Sequence, residues 1–289
     1  MDEQLKVATM AEQVNSRKSS KTRQDERDIQ IENLRTGYDK KVIIDNLNLT
    51  IPRGKITTLI GSNGCGKSTL LKTICRIIKP MSGSVYLDGQ SIHDIPTHEL
   101  AKKVAILPQH PTAPEGLTVR ELISYGRAPY RNGIFSKTSK EDRDYVNWAM
   151  KITHLEELAD RPIHRLSGGQ RQHAWIAMAV AQDTDVLFLD EPTSFLDIAH
   201  QLEVLQLVDY LNTEFNKTVI MVLHELNQAA RFADHIIAMK AGTVRFEGTA
   251  QEVFTNEMLH DVFNITAMIM RDPVTGLPFC IPQYVGGSL

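Results

Sequence analysis

The chain has 289 residues, of which 42% are hydrophobic and 23% are charged. These fractions are typical of a globular protein and exclude a disordered chain, a collagen-like repeat and a coiled-coil rod. With 32 basic and 35 acidic residues the formal net charge is −3, so the chain as a whole has no positive field for binding nucleic acid.

The N-terminal part of the sequence changes character at Ile29. Residues 1–28 form a polar extension dotted with lysine and arginine, which we expect to be flexible, a regulatory or membrane-surface arm being the alternative. Apolar residues near a period of two then predict strands from Ile29 onwards. The β-branched run Lys55–Ile60 predicts a further strand that ends abruptly in glycine.

The middle of the chain has helical periodicity. Helical patterns dominate from about residue 92 to 165, chiefly in Val119–Tyr125 and Lys140–His154, with proline and glycine between them. This stretch is predicted to be a helical subdomain inserted into an α/β protein. The inserted segment Leu117–Tyr130 carries several apolar and aromatic residues, which predict either a partner contact or a small core for the insert.

Strands and helices alternate in the second half of the chain. A predicted helix, Gln170–Ala181, precedes the unbroken apolar run Val186–Leu189, and the helix His200–Asn212 precedes a second such run, Thr218–Leu223. Unbroken apolar runs are typical of strands buried on both faces, as in a parallel sheet. The alternation predicts an α/β fold.

The chain shows no sign of secretion or membrane insertion. No window approaches the roughly 18 uninterrupted apolar residues that a spanning helix needs. The acidic, polar N-terminus lacks the apolar segment of a secretory signal. The three cysteines are too few for a disulfide framework, and their spacing fits no zinc site. We therefore expect a protein of the reducing cytosol.

One motif predicts a phosphate-binding site. The residues that match G-x-x-x-x-G-K-[S/T] are Gly61, Ser62, Asn63, Gly64, Cys65, Gly66, Lys67, Ser68 and Thr69. Glycines let backbone N–H groups surround phosphate oxygens, and a following helix, predicted at Leu70–Ile78, adds its positive end. We expect Lys67 to meet the β- and γ-phosphates and Ser68 to coordinate Mg²⁺. An ordinary glycine turn is the alternative, but the motif has the strand before it and the helix after it that a phosphate loop needs.

Two carboxylates follow the buried run Val186–Leu189. Asp190 would lie at the C-terminal tip of a strand, where α/β sheets bind ligands, and would hold Mg²⁺ directly or through water. Glu191 would accept a proton from an attacking water molecule. Taken alone, such a pair more often caps a helix, but the phosphate loop upstream favours the catalytic interpretation.

A second anion site is predicted in the segment Leu166–Gln172. Ser167 supplies a hydroxyl, and Gly168 and Gly169 expose backbone N–H groups at the start of a helix, ahead of Gln170. Spacing leaves open whether this site serves the phosphate loop of its own chain or that of another subunit.

The segment Leu166–Gln172 resembles the signature motif of ABC-transporter ATPases, and it lies just ahead of the acidic strand as in that family. The phosphate loop then resembles Walker A, and Asp190 closes Walker B. The resemblance runs from about Ile29 to Gly248. It implies a P-loop ATPase core with a mixed sheet and an inserted helical subdomain, spanning 29–270, with 271–289 as a C-terminal tail.

The resemblance also gives roles to four single residues. Gln109 is similar to the glutamine that links metal, water and transmembrane partner, and Asp197 lies in a segment similar to the D-loop at the dimer contact. His224 is similar to the switch histidine that contacts the γ-phosphate and the attacking water. Tyr38 resembles the aromatic residue that stacks on adenine. The alternatives are a solvated glutamine and core positions for His224 and Tyr38.

The family resemblance implies partners as well. Two ATPase subunits, identical or paralogous, would meet head to tail, so that each signature closes over the other subunit's ATP. An integral-membrane permease would be contacted through Gln109 and the segment Leu117–Tyr130, on the cytoplasmic face of the membrane. A substrate-binding protein would be an indirect partner, ATP and Mg²⁺ would be the cofactors, and no nucleic acid is expected.

Local sequence is similar to one branch of this family, the importers of ferric siderophores, haem and cobalamin. The resembling segments are Thr118–Tyr130, Glu191–Gln201 and Asp272–Pro278, and ferric-siderophore importers match best. Haem, cobalamin or another cargo is the alternative. A DNA-repair ATPase is disfavoured because no sustained heptads lie between Ser68 and Ser167, whereas an ABC-type ATPase with a non-membrane partner remains a second alternative.

Overall fold

The computed structural model describes residues 28–39, 41–131 and 138–286. The predicted N-terminal extension, apart from its last residue, therefore lies outside the described residues. The chain divides into two compact units. We call residues 96–187 and 193–217 the helical unit, and residues 28–95, 188–192 and 218–286 the sheet unit.

Strands and helices are numbered in chain order over the described residues. The strands are β1 (Ile29–Tyr38), β2 (Lys41–Ile51), β3 (Ile56–Gly61), β4 (Ser82–Leu87), β5 (Gln90–Ser91), β6 (Val104–Leu107), β7 (Val186–Asp190), β8 (Thr218–Val222), β9 (His235–Lys240), β10 (Thr243–Gly248), β11 (Ile265–Arg271) and β12 (Pro278–Val285). The helices are α1 (Lys67–Ile74), α2 (Thr97–Lys103), α3 (Val119–Tyr125), α4 (Lys140–Ile152), α5 (Gly168–Ala181), α6 (Ile198–Phe215), α7 (Leu226–Phe232), α8 (Ala250–Val253) and α9 (Asn256–Phe263). Within the described ranges, no helix combines the length and the apolar character that a membrane span requires.

The sheet unit contains an antiparallel sheet and a mixed sheet. The antiparallel sheet has the order β2-β1-β4-β5. In the other sheet β3 lies between β8 and β9 and runs parallel to both, and β10 is antiparallel to β9. Every residue of β3, β7 and β8 is buried, which the unbroken apolar runs of β7 and β8 predict. The predicted α/β class and mixed sheet are confirmed.

Helix α1 is shorter than its sequence pattern suggests. It begins at Lys67 and ends at Ile74 instead of Ile78. Arg76 has a φ of 59°, a left-handed conformation that a helix cannot continue through. Its guanidinium donates hydrogen bonds to the carbonyls of Ile92 and Ile95, at 2.9 and 2.6 Å. These two hydrogen bonds offset the cost of the left-handed turn that ends the helix.

The C-terminal segment from 271 onwards, predicted only as a tail, forms part of a hairpin. Strands β11 and β12 pair antiparallel, and helix α7 contacts β12. The Asn227 side chain accepts a hydrogen bond from the N–H of Cys280 (2.9 Å) and donates one to its carbonyl (3.1 Å). One side-chain amide thus pairs with the backbone of Cys280 as a neighbouring strand would.

The helical unit has its own core, to which part of the segment Leu117–Tyr130 contributes. Helices α3 and α4 pack against α5, and capping boxes at Thr118 and Ser139 start α3 and α4. Leu122 and Ile123 are fully buried, so for these two side chains the core interpretation is correct. Tyr125 is 51% exposed and remains available to a partner.

Arg127 is a structural residue of the helical unit. Its guanidinium lies between the rings of Tyr130 and Tyr145, 3.9 and 4.1 Å from their centroids. It donates hydrogen bonds to Asp142 (3.1 Å) and to the carbonyl of Ala181 (2.8 Å). Burial works to raise the pKa of Asp142, but hydrogen bonds from Ser139 and Arg127 outweigh it and lower that pKa. The buried pair is therefore ionised at neutral pH.

We expect Arg127→Met to destabilise the protein by about 3 kcal/mol, because it leaves the buried Asp142 carboxylate without its cation. Urea denaturation followed by circular dichroism measures the loss. The control is Arg120→Met on the exposed face of α3, which should cost less than about 1 kcal/mol. Equal losses in the two variants would contradict a structural role for the Arg127–Asp142 pair.

Candidate active site

The phosphate loop has a backbone that only glycine permits at its two ends. Gly61 ends β3 with a φ of 149°, and Gly66 precedes α1 with a φ of 111°. A Cβ on Gly61 would lie 2.3 Å from the carbonyl oxygen of Met239, closer than any side chain tolerates. Gly64, with a φ of 75°, faces open space. The loop thus turns tightly and exposes its backbone at the start of a helix, as the sequence motif predicts.

Lys67 is held inside this loop. Its ammonium group donates hydrogen bonds to the carbonyl oxygens of Gly61 (2.8 Å) and Ser62 (3.1 Å), and the residue is only 5% exposed. Cys65 lies beside it, with Sγ 3.8 Å from Nζ. A cation that is already oriented by its own loop strengthens the hydrogen bonds that an incoming anion receives.

Asp190 and Ser68 meet where β7 ends. The Ser68 hydroxyl donates a 2.8 Å hydrogen bond to Oδ1 of Asp190. The other carboxylate oxygen, Oδ2, is buried and accepts no hydrogen bond. Burial raises the pKa of Asp190, and the hydrogen bond from Ser68 opposes this rise. A hydroxyl and a carboxylate with an unsatisfied oxygen are the hard oxygen donors that Mg²⁺ prefers, so these residues fit that ion.

Glu191 and His224 form an ion pair or hydrogen bond at the same edge of the sheet. Strands β7 and β8 are neighbours, and each of these residues follows the C-terminal end of one of them. His224 Nε2 lies 2.7 Å from Glu191 Oε1, and the His224 side chain is 38% exposed. Glu191 has a φ of 53°, a left-handed turn that ends the strand. His224 is therefore not the core histidine that the sequence left open.

Tyr38 ends β1 in the sheet unit and is 46% exposed. The core position that the sequence allowed for it is therefore wrong. Nearly half of its surface is free to contact a flat apolar ligand.

The predicted second anion site forms the start of α5 in the helical unit. Ser167 caps the helix, accepting a 3.2 Å hydrogen bond from the N–H of Gln170, whose side chain accepts one from the N–H of Ser167. The N–H groups of Gly168 and Gly169 lie in the first turn of the helix. N–H groups in this turn have no carbonyl partner within the helix. A Cβ on Gly168 would face open space. This end of the helix can accept an anion.

His200, to which no sequence motif assigns a role, packs on this helix start. A Cβ on Gly169 would lie 2.1 Å from the imidazole of His200, so the ring occupies the space beside Gly169. Asp197 caps α6 and contacts His200 Nδ1 at 2.8 Å, which raises the pKa of the imidazole. His200 lies three residues after Asp197 at the start of a helix. This spacing brings the two side chains together and was the sequence signal that could have pointed to His200.

Gln109 follows β6 in the helical unit and is half-buried. The neighbouring ring of His110 stacks on Phe195, with 6.0 Å between centroids. Phe195 is 89% exposed and has a φ of 63°. The predicted site residues thus form two groups, one within each unit: Tyr38, the phosphate loop, Asp190, Glu191 and His224 in the sheet unit, and Gln109, Ser167–Gln170 and Asp197 in the helical unit.

Comparison with known proteins shows the family of the chain. The family model described as ABC transporter matches residues 44–194. The chain belongs to the ABC transporter family. As a member of this family it binds and hydrolyses ATP.

Two curated relatives are similar over almost their whole length. The iron(3+)-hydroxamate import ATP-binding protein FhuC of Bacillus subtilis (strain 168) is 56% identical, over 86% of this chain and 93% of that protein. The achromobactin transport ATP-binding protein CbrD of Dickeya dadantii (strain 3937) is 51% identical, over 86% and 92%. Among solved structures, the dimeric post-hydrolysis state of the ATP-binding cassette MJ0796 bound to ADP and Pi aligns with a TM-score of 0.66 and 32% identity, covering 76% of this ABC ATPase and 98% of that chain.

The contact between Gly169 and His200 is testable by a double-mutant cycle. We expect Gly169→Ala to lower the free energy of unfolding by about 1–3 kcal/mol, because the methyl group overlaps the imidazole. Adding His200→Ala should remove most of this loss, as thermal or urea unfolding of the four proteins would measure. His200→Ala alone is the control and should cost little, since the ring is at the surface. Simple additivity of the two substitutions would contradict the contact.

Proposed function

We propose that this ABC ATPase powers the import of a ferric siderophore through an integral-membrane permease, at the cytoplasmic face of the membrane. The observation that carries the catalytic part of this proposal is the cluster at the edge of the mixed sheet. There Lys67, the Ser68–Asp190 pair and the Glu191–His224 pair come from one compact unit. Together these groups can bind a triphosphate and activate a water molecule beside it.

In this proposal Ser68 and Asp190 would hold Mg²⁺, and the family resemblance assigns Gln109 to the same ion. The ion supplies charge neutralisation and Lewis acidity at the β- and γ-phosphates when it is bound. The unsatisfied Oδ2 of Asp190 supports this assignment, because a buried carboxylate oxygen without a partner gains free energy from a cation. Lys67 would exchange its loop carbonyls for phosphate oxygens.

We assign the role of general base to Glu191. Its carboxylate accepts a proton from the attacking water, and His224 orients the water and the γ-phosphate. In the structure the two side chains contact each other at 2.7 Å, so His224 has to turn from Glu191 towards the nucleotide as the site fills. Tyr38 stacks on the adenine with the exposed part of its ring.

The active form in this proposal is a head-to-tail dimer. The start of α5, from Ser167 to Gln170, would donate hydrogen bonds to the γ-phosphate bound by the partner subunit, and Asp197 would lie at the contact. The solved dimer of a 32% identical cassette supports this arrangement. The partner is a second copy of this chain or a paralogue.

The cargo is proposed from the relatives' names. Those at 56% and 51% identity are named for ferric hydroxamate import and achromobactin transport. Haem or cobalamin import is the alternative within the family, and an ATPase with a non-membrane partner is the second alternative. A substrate-binding protein would act through the permease, and nucleic acid has no part in the cycle.

Substituting Glu191 tests the general base and the dimer together. We expect Glu191→Gln to lower the rate of ATP hydrolysis by about 10²- to 10⁴-fold, because a nearly isosteric amide cannot accept the proton. ATP affinity should hold or rise, since a negative charge beside the triphosphate is removed. With Mg-ATP the variant should elute from a sizing column as a dimer.

The control is the double variant Glu191→Gln with Ser167→Arg. It should bind ATP as a monomer and lose the shift to dimer, because the bulky cation blocks the start of α5. Hydrolysis by Glu191→Gln at the wild-type rate would overturn the base assignment. An inactive variant that stayed monomeric with Mg-ATP would overturn the dimer model for the isolated subunit.

Uptake measurements test the cargo. Cells lacking this chain should lose uptake of radioiron supplied as a ferric siderophore and should retain uptake of haem iron and cobalamin. Wild-type protein should restore uptake, and Glu191→Gln should not. Loss of haem or cobalamin uptake instead would support import of that cargo. Unchanged uptake of all three compounds would support an ATPase with a non-membrane partner.

A further inference from the structure

A cavity of about 670 Å³ opens in the helical unit and is lined by the C-terminal end of α4, the middle of α5 and α6. Its volume lies within the range of about 300–1,000 Å³ that is typical of small-molecule sites. Leu207 and the ring of Tyr210 give it an apolar wall. None of the residues assigned above to ATP binding, hydrolysis or dimerisation lines it.

His173, on α5, lines this cavity with a ring nitrogen that can accept a hydrogen bond but has no donor. The imidazole hydrogen bonds with the backbone of Thr153, an interaction that favours its protonated form, so a ring N–H donates to the Thr153 carbonyl. That nitrogen is Nδ1, because Nε2 is buried and has no hydrogen-bond partner. Burial nevertheless lowers the pKa of His173, so the ring is neutral and Nε2 has a free lone pair. Buried polar atoms without a partner are rare in folded proteins.

A second acceptor faces this one. The Oε2 atom of Glu203, on α6, lies 3.8 Å from Nε2 of His173, too far for a direct hydrogen bond. A donor nitrogen at about 2.9 Å from each atom would satisfy both. The Glu203 side chain is 54% exposed, so it can move aside to admit such a group.

The charge of the cavity favours a cation. Two carboxylates, Glu156 and Glu203, line it against one ammonium group, that of Lys151. A metal ion is a poorer candidate, because the described residues contain no group of three or more histidines, cysteines or acids that could hold one. Hydrogen bonds from a cationic N–H group to a carboxylate are also stronger than neutral ones.

We propose that this cavity binds a small organic cation of the amine or amidine class. Its N–H groups bridge Nε2 of His173 and the carboxylate of Glu203, and its apolar part lies against Leu207 and Tyr210. The site belongs to the helical unit and is separate from the residues assigned to ATP.

The test uses benzamidine as the probe and benzamide as its neutral counterpart of nearly the same shape. Isothermal titration calorimetry of the full chain, with ATP present and Mg²⁺ removed by EDTA so that the nucleotide is not hydrolysed, should show saturable binding of one benzamidine per chain. Benzamide should bind at least tenfold more weakly, because it lacks the charge. Absence of saturable binding, or equal affinity for the two probes, would overturn the proposal.

Matched variants locate the site. Glu203→Gln should weaken benzamidine binding about tenfold or more, and His173→Phe should abolish it. Asp209→Asn removes the same charge from the same helix without altering the cavity lining, and it should leave the affinity unchanged. Because Glu203 is exposed, its variant folds even where His173→Phe does not. Equal weakening by Glu203→Gln and Asp209→Asn would show a general charge effect and reject the site.

Discussion

The hydrogen bond from Ser68 to Asp190 is the contact on which the arrangement of the active site depends. It joins the first turn of α1 to the end of β7, so the phosphate loop and the acidic strand end are positioned against each other. Asp190 is 1% exposed, at the end of a strand whose other residues are apolar. Ser68 satisfies one carboxylate oxygen and leaves the other unsatisfied. The unfavourable burial of that oxygen makes this position receptive to a cation.

The other polar groups of the site already have protein partners. Lys67 donates to loop carbonyls, and His224 contacts Glu191. In the proposed mechanism ATP binding would exchange existing hydrogen bonds for new ones, and its affinity would depend on the difference between the two sets. The contact of His224 with Glu191 also keeps the proposed base occupied until the nucleotide competes for the histidine. In the proposed mechanism this contact would limit the activation of water before ATP binds.

Local sequence patterns predicted the strands, loop and helix that contain the site. The features that they did not predict depend on contacts between residues distant in the chain. The motif around Lys67 and the apolar run before Asp190 indicated loop, helix and strand because their signals lie within a few residues. The early end of α1 was not predictable, since it depends on contacts that Arg76 makes with residues 92 and 95. The packing of His200 on Gly169 was equally hidden, because the two positions are distant in the chain. Sequence spacing likewise could not show that Arg127 is buried between two aromatic rings.

The two hydrogen bonds between the Asn227 side chain and the backbone of Cys280 limit the C-terminal hairpin to a single strand register. A slip of β12 by one residue would turn Phe279 towards the protein and Cys280 towards water, reversing the faces of the strand. A slip by two would bring Pro278 or Pro282 opposite the amide, and proline has no N–H to offer it. Neighbouring alignments therefore fail for different reasons, one through misplaced apolar surface and the other through a missing donor. A single side chain on α7 thus fixes the register of β12.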